Sequence, residues 1–162
     1  MTNKLDKKRQ FGLIGYPLSH SFSPGYFAEK FEHLQIKNCR YDLYPMEQIS
    51  MVKGLLNGDI EGLNVTIPYK EQVIPYLTEL SEEAKEIGAV NTIKIHEDRV
   101  IGYNTDVYGF EQSLMQICGD ALPSKGLILG SGGASKAVRY VLKKHKCDYP
   151  VSYTHLTLPT IA

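Results

Sequence analysis

Short apolar segments alternate with segments of helical periodicity along the first hundred residues. Apolar stretches predict strands over residues 11–16, 40–44 and 62–67, and helical spacing predicts helices that begin at Pro24 and cover residues 47–56. Because strands and helices alternate, the pattern predicts an α/β layer with a mainly parallel sheet. Residues 90–95 and 100–103 flank a polar turn and predict a hairpin that adds an antiparallel edge to this sheet.

The second part of the chain predicts a separate unit. Residues 106–118 have the spacing of a helix with one apolar side, and Gly119 follows where that helix ends. A short apolar strand over residues 126–130 then leads through a glycine-rich turn into another helix, as in the first βα unit of a dinucleotide-binding fold. We therefore predict a first domain over residues 1–105, a connecting helix over 106–120 and the start of a truncated Rossmann-type domain over 121–150.

Composition excludes several classes of function. Lysine plus arginine and aspartate plus glutamate each total 18, and no basic stripe is present, so nucleic acid is not an expected partner. No apolar run approaches the ~20 residues that span a bilayer, and we expect a cytoplasmic protein. The cysteines at 39, 118 and 147 are far apart, and the five histidines lack a ligand spacing, so no metal is predicted.

Residues 15–24 (GYPLSHSFSP) place two hydroxyls at the start of a predicted helix. Ser23 is the expected N-cap and Pro24 the first helical residue, and a helix N-terminus attracts carboxylate or phosphate. Ser21 and Ser23 are therefore candidates for an anion clamp, although serines in such a cluster can also serve only as caps and turns. Four apolar residues are expected on the buried face of this helix: Tyr26, Phe27, Phe31 and Leu34.

The glycine-rich turn at residues 130–135 is a candidate phosphate-binding element. Gly130 permits a tight turn, and Gly132 lets the backbone approach a pyrophosphate at the helix N-terminus. Ser135 stands where the general fingerprint has a third glycine or alanine. A plain glycine-rich connection between strand and helix is the alternative interpretation.

Four separated motifs occur in an order and spacing that resemble the shikimate dehydrogenase family: residues 62–70 (GLNVTIPYK), 88–92 (GAVNT), 102–106 (GYNTD) and 130–135 (GSGGAS). The resemblance extends over about residues 11–146. It implies a two-domain oxidoreductase that reduces 3-dehydroshikimate to shikimate with NADPH, on the route to chorismate and the aromatic amino acids. The first domain would then bind the substrate, and NAD could replace NADP as the cofactor.

The resemblance also implies roles for individual residues. Lys70 would act in acid–base catalysis with Asp106 beside it, and Thr66 and Asn91 would bind the substrate hydroxyls. Since a free lysine is protonated near neutral pH, a charged Lys70 can donate a proton during ketone reduction. Ser21 and Ser23 would bind the ring carboxylate, with Asn64 and Asn104 in supporting positions. The cofactor would contact Gly130, Ser131, Gly132, Gly133, Ala134 and Ser135.

Two alternatives remain open at this point. One is a quinate/shikimate dehydrogenase that uses NAD or NADP, and the other is a small-molecule binding module without activity. Residues 151–162 resemble a translated sequencing adaptor, so we expect a foreign tail and a truncated, inactive chain that lacks the segment reading the cofactor's ribose. A homodimer is one arrangement open to the full-length protein.

Overall fold

The computed structural model of the protein describes residues 8–119 and 122–152. These residues form two compact units that divide after Asn104. Each unit is described separately.

The first unit is built on a six-stranded sheet with the order β2-β1-β3-β5-β6-β4. Its strands are β1 (Arg9–Gly15), β2 (Cys39–Pro45), β3 (Ile60–Val65), β4 (Glu79–Leu80), β5 (Thr92–His96) and β6 (Arg99–Tyr103), and its helices are α1 (Ser23–His33), α2 (Val52–Leu56) and α3 (Glu82–Ile87). Strand β1 is parallel to β2 and β3, β4 is parallel to β6, and β5 is antiparallel to β3 and β6. The predicted α/β class with a mainly parallel sheet is confirmed.

The hairpin lies inside this sheet and not at its edge. Strands β5 and β6 pair across the turn at residues 96–99, but β4 pairs with the outer side of β6. The expectation of an antiparallel edge was therefore wrong. A strand of two residues, Glu79–Leu80, has no readable alternation, and only its pairing with Ile101 and Gly102 defines it.

One face of the sheet carries the main core of the first unit. Ile14, Leu63, Val65 and Ile93 from the central strands are almost fully buried, and Val52 of α2 packs in the same cluster. Burial of each such side chain stabilises the fold by about 1.5–3 kcal/mol. The central strands are apolar because this face is covered by helices. The helix predicted over residues 47–56 is shorter than expected, with a 3-10 turn over Ile49–Met51 before α2.

Helix α1 covers part of the other face. Phe27 stacks on Tyr41 of β2 with ring centroids 4.1 Å apart, and Phe31 contacts Phe11 of β1 at 6.5 Å. The predicted apolar stripe is thus half right, because Tyr26 and Leu34 are 52% and 53% exposed. No residue of α1 is fully buried.

The expected cap of α1 was wrong by one residue. Phe22 occupies the N-cap position and Ser23 is the first helical residue. The reason is the preceding turn, in which the Ser21 amide donates to the Leu18 carbonyl at 3.0 Å. This turn brings Phe22 into helical backbone angles, so the helix begins before the serine-proline pair.

The second unit contains α4 (Asp106–Cys118), β7 (Ile128–Leu129), α5 (Gly133–Lys144) and β8 (Val151–Ser152). Strands β7 and β8 are parallel and α5 connects them, which makes a βαβ unit. Glu111 of α4 forms an ion pair with Lys144 at 2.9 Å, and its Oε1 lies in hydrogen-bond contact with His145 Nε2 at 2.6 Å. Together these contacts join both helices of the unit.

The first two residues of the expected foreign tail belong to this βαβ unit. Val151 pairs with Ile128, and Ser152 pairs with Leu129. Their backbone extends the β7 ladder, and the foreign origin of residues 151–162 stays a prediction. Residues 153–162 and the expected domain boundary at 120–121 lie outside the described residues. Within residues 8–119 and 122–152, no helix has the length and apolarity needed to cross a bilayer.

Candidate active site

Four strand ends of the first unit meet at one edge of the sheet. Strands β1 and β3 are parallel and end there. Strand β5 is antiparallel to β3, with Thr92 opposite Asn64, so β5 begins where β3 ends. Strand β6 is antiparallel to β5, with Tyr103 opposite Thr92, and ends at the same edge. The carboxyl ends of parallel strands are where open α/β sheets bind ligands.

Thr66 is held at this edge by contact with the end of β1. Its amide donates to the Ile14 carbonyl at 2.9 Å. Gly15 lies so close that a Cβ atom there would overlap the Thr66 methyl group and stand 2.9 Å from Leu18 and 3.0 Å from the Ile67 carbonyl. The absence of a side chain at Gly15 is therefore what allows the two segments to approach.

Main-chain hydrogen bonds also bring Asn91 and Lys70 to this edge. The Asn91 amide donates to the Tyr103 carbonyl at 3.0 Å, and its carbonyl accepts from the Val65 amide at 2.8 Å. The Val90 amide donates to the Lys70 carbonyl at 2.7 Å. Lys70 is half-buried in the turn that follows β3. The backbones of both residues are therefore tied to neighbouring strand ends.

Asn104 anchors the segment that carries Asn91. Its side chain is 6% exposed, and its Nδ2 donates to the Ala89 carbonyl at 3.0 Å. Buried amides of this kind are costly unless they are hydrogen-bonded. The contact connects the end of β6 to the loop before β5 and agrees with a supporting position.

A line of four polar side chains crosses the sheet from β2 to Asn91. Tyr41 donates to Asn64 Oδ1 at 2.8 Å, Asn64 Nδ2 donates to Thr92 Oγ1 at 3.3 Å, and Thr92 donates to Asn91 Oδ1 at 3.1 Å. Burial raises the pKa of Tyr41 to about 12, and the Ser23 side chain opposes that shift. We call these four residues the Tyr41–Asn91 network.

Sequence reasoning did not find Tyr41 or Thr92 as functional residues. Tyr41 lies on β2, 23 positions before its partner Asn64. Thr92 follows Asn91 in the GAVNT motif, which was the available signal for it. No pattern in the sequence identifies the hydrogen-bond partner of Tyr41. Tyr41 and Asn64 come together only because β1 pairs with both β2 and β3.

The second predicted serine also lies at the start of α1. Ser21 Oγ accepts from the Ser23 amide at 3.4 Å, and both residues are half-buried. Two hydroxyls and the first amides of the helix thus lie together, which is a suitable environment for an anion. Asp106 is the first residue of α4 in the second unit. Its pairing with Lys70 stays a prediction.

The glycine-rich turn of the second unit leads from β7 into the N-terminus of α5. Gly130 has a φ of 106°, which only glycine adopts readily. Gly132 is the N-cap of α5 and Gly133 its first residue, and Ser135 Oγ donates to the Gly132 carbonyl at 2.7 Å. A Cβ atom on Gly130 or Gly132 would meet nothing within 4 Å, so the space beside both residues is open. Two further candidates lie in this turn: Ser131 and Ala134.

The sequence of this chain is similar to a known family model and to named proteins. A family model described as "Shikimate dehydrogenase substrate binding domain" matches residues 13–93. A shikimate dehydrogenase (NADP(+)) of Carboxydothermus hydrogenoformans is 46% identical over 81% of this chain and 48% of its own length. The chain spans about half the length of most of the curated relatives it matches, and 62% of one from Shouchella clausii.

Solved structures of the same family have the same fold. The crystal structure of shikimate dehydrogenase 1 from Peptoclostridium difficile matches with a TM-score of 0.79 and 40% identity, over 88% of this chain and 54% of that one. The Thermus thermophilus enzyme in complex with NADP(H) and shikimate matches with a TM-score of 0.75 and 34% identity, over 88% and 55%. By these matches, the chain belongs to the shikimate dehydrogenase family and contains its substrate-binding domain in residues 13–93.

Proposed function

We propose that this chain supplies the substrate-binding part, and the beginning of the cofactor-binding part, of an NADP-dependent shikimate dehydrogenase. The reaction is the reduction of 3-dehydroshikimate to shikimate. The observation that carries the proposal is the meeting of Thr66, Lys70 and Asn91 at one edge of the sheet, in a member of this family. A relative from Thermus thermophilus, solved with NADP(H) and shikimate, supports both ligands.

The substrate is bound through complementary polar groups. Ser21 and Ser23 donate their hydroxyls to the ring carboxylate at the start of α1, and Thr66 and Asn91 bind the ring hydroxyls. A polyol is recognised in this way because any polar group, of the substrate or of the site, costs free energy when it is left without a partner in a closed site. A ring that lacks one hydroxyl leaves a polar group of the site unpaired and therefore binds more weakly.

Lys70 supplies the proton of the reaction. As the carbonyl carbon accepts a hydride, the carbonyl oxygen accepts a proton from the Lys70 ammonium group and becomes the shikimate hydroxyl. Asp106 positions that ammonium group, and solvent returns the proton to Lys70. When bound, NADPH supplies the hydride. Residues 130–135 would hold its pyrophosphate at the N-terminus of α5, where the open space above Gly130 and Gly132 fits the group.

The test uses a protein in which this chain continues to the length of its relatives. Shikimate-dependent reduction of NADP is measured in the parent and in Lys70→Ala. We expect turnover to fall about 100- to 10,000-fold, which is the usual scale for general acid–base catalysis. Lys94→Ala is the matched control, because Lys94 is an exposed lysine of β5 in the same sheet. Normal turnover by Lys70→Ala would exclude this residue as the proton donor.

The same assay separates the alternatives. Equal turnover of quinate with NAD would indicate a quinate/shikimate dehydrogenase, and shikimate binding without reduction of either cofactor would indicate a binding module. Ser21→Ala and Ser23→Ala test the carboxylate clamp. We expect each to raise KM for shikimate by about 10- to 150-fold, because losing one charge-assisted hydrogen bond costs about 1.5–3 kcal/mol. An analogue without the carboxylate should bind these variants and the parent equally.

A further inference from the structure

The Tyr41–Asn91 network connects Asn91, a residue of the proposed site, to side chains that are far apart in the sequence. Asn91 precedes β5. The side chains that lead to it, Tyr41, Asn64 and Thr92, come from β2, β3 and β5. All three are at least partly shielded from solvent. The network therefore crosses the sheet along the face on which α1 lies.

The direction of each hydrogen bond follows from the number of protons. Tyr41 has one hydroxyl proton, which it donates to Asn64 Oδ1. Thr92 likewise donates its one proton to Asn91 Oδ1 and accepts from Asn64 Nδ2. No member is required to donate the same proton twice.

This arrangement determines how the Asn91 carboxamide is oriented. Because Asn91 Oδ1 accepts from Thr92, the Nδ2 of the same carboxamide points to the opposite side. Asn91 then presents a donor, and not an acceptor, on that side. A side chain that is already oriented loses less conformational entropy when it binds a ligand.

We propose that Tyr41 and Thr92, connected through Asn64, are positioning residues that orient Asn91 for the substrate. This inference rests on the proposed function, because it concerns the same binding site. Neither positioning residue needs to touch the substrate. Their effect reaches it through Asn91, so it falls on substrate affinity and not on proton or hydride transfer.

The scaffold does not depend on these hydroxyls. The Tyr41 ring is held by stacking on Phe27, with an angle of 12° between the two ring planes. Thr92 is held by its backbone pairing with Asn64 and Tyr103. Tyr41→Phe and Thr92→Val therefore remove the network and leave ring stacking and strand pairing in place. This separates a positioning role from a purely structural one.

The experiment measures KM and kcat for shikimate in the protein continued to the length of its relatives. We expect Tyr41→Phe and Thr92→Val each to raise KM for shikimate about 3- to 10-fold, the range for one hydrogen bond, with kcat and KM for NADP little changed. Thr92→Ser keeps the hydroxyl and should restore the parent KM. The double variant should raise KM by less than the product of the single effects, because both break one network.

Tyr44→Phe is the matched control. Tyr44 is also on β2, and its hydroxyl accepts from Gln10 Nε2 at 2.6 Å, so a side-chain hydrogen bond is lost outside the network. Its KM should equal that of the parent. If the parent is active and Tyr41→Phe keeps the parent KM, or if Tyr44→Phe raises KM equally, the inference is overturned while the proposed function stands. If the parent neither binds nor turns over shikimate, the proposed function fails, and the inference fails with it.

Discussion

Gly15→Ala tests whether the close approach of β1 and the Thr66 segment forms the site. The new methyl group would overlap the Thr66 methyl and stand 2.9 Å from Leu18 Cδ2 and 3.0 Å from the Ile67 carbonyl. Two of these neighbours can move only with the backbone or with Thr66 itself. We therefore expect the Thr66 segment to shift away from the end of β1.

The magnitude follows from two opposing effects. Forcing a methyl group into a filled space costs about 1–3 kcal/mol. Replacing glycine with alanine also restricts the unfolded chain, which returns about 0.4–1 kcal/mol. The free energy of unfolding should thus fall by roughly 0.5–2 kcal/mol. A shift of Thr66 that weakens one substrate hydrogen bond by about 1 kcal/mol should also raise KM for shikimate about fivefold.

The assay combines thermal unfolding with steady-state kinetics in the protein continued to the length of its relatives. Gly12→Ala is the matched control: its methyl group would overlap Tyr44 and stand 2.6 Å from the Asp42 carbonyl, in the same strand but away from the site. It should lower stability and leave KM unchanged. At Gly54 nothing lies within 4 Å of an added methyl group, so Gly54→Ala should neither lower stability nor raise KM. Parent-like stability and KM in Gly15→Ala would refute the steric argument.

Three further predictions concern the second unit. Asp106→Asn should lower turnover, and combining it with Lys70→Ala should cost much less than the product of the single effects; multiplicative losses would contradict a coupled pair. Gly130→Ala, at a φ of 106°, should raise KM for NADP with KM for shikimate unchanged, as measured by varying each in turn. Hydrogen bonds with Lys144 and His145, at the end of α5, lower the pKa of Glu111, so the stabilising effect of its carboxylate is complete above about pH 4.5 and is lost as the pH falls through the lowered pKa. Glu111→Gln should reduce that acid-dependent loss in thermal unfolding, and an unchanged pH profile would contradict this role of Glu111.

Helix α3 shows how far local signals reach. Ser81 caps it by accepting from the Ala84 amide at 3.2 Å, and Gly88 ends it at a φ of 67°. Both signals are local and can be read from the sequence, although the prediction did not include this helix. Strand β4 differs, because two residues carry no periodicity and only β6 makes them a strand.

The start of α1 shows where local signals mislead. A serine followed by proline predicts a cap at Ser23, yet the helix begins one residue earlier, with Phe22 as the N-cap. The turn closed by Ser21 and Leu18 decides this. Leu18 is 6% exposed and lies next to Gly15, so the helix start depends on packing at the end of β1.

The sequence by itself determined the alternation of strands and helices, the family motifs and the glycine-rich turn, because each depends on residues close together in the chain. Only the tertiary structure decided the Tyr41–Asn91 network, whose links Tyr41 to Asn64 and Asn64 to Thr92 span 23 and 28 positions. It also decided the burial of β5 inside the sheet and the pairing of Val151 with Ile128. These features depend on strand register, and register is chosen by the packing of the whole sheet and not by any one segment.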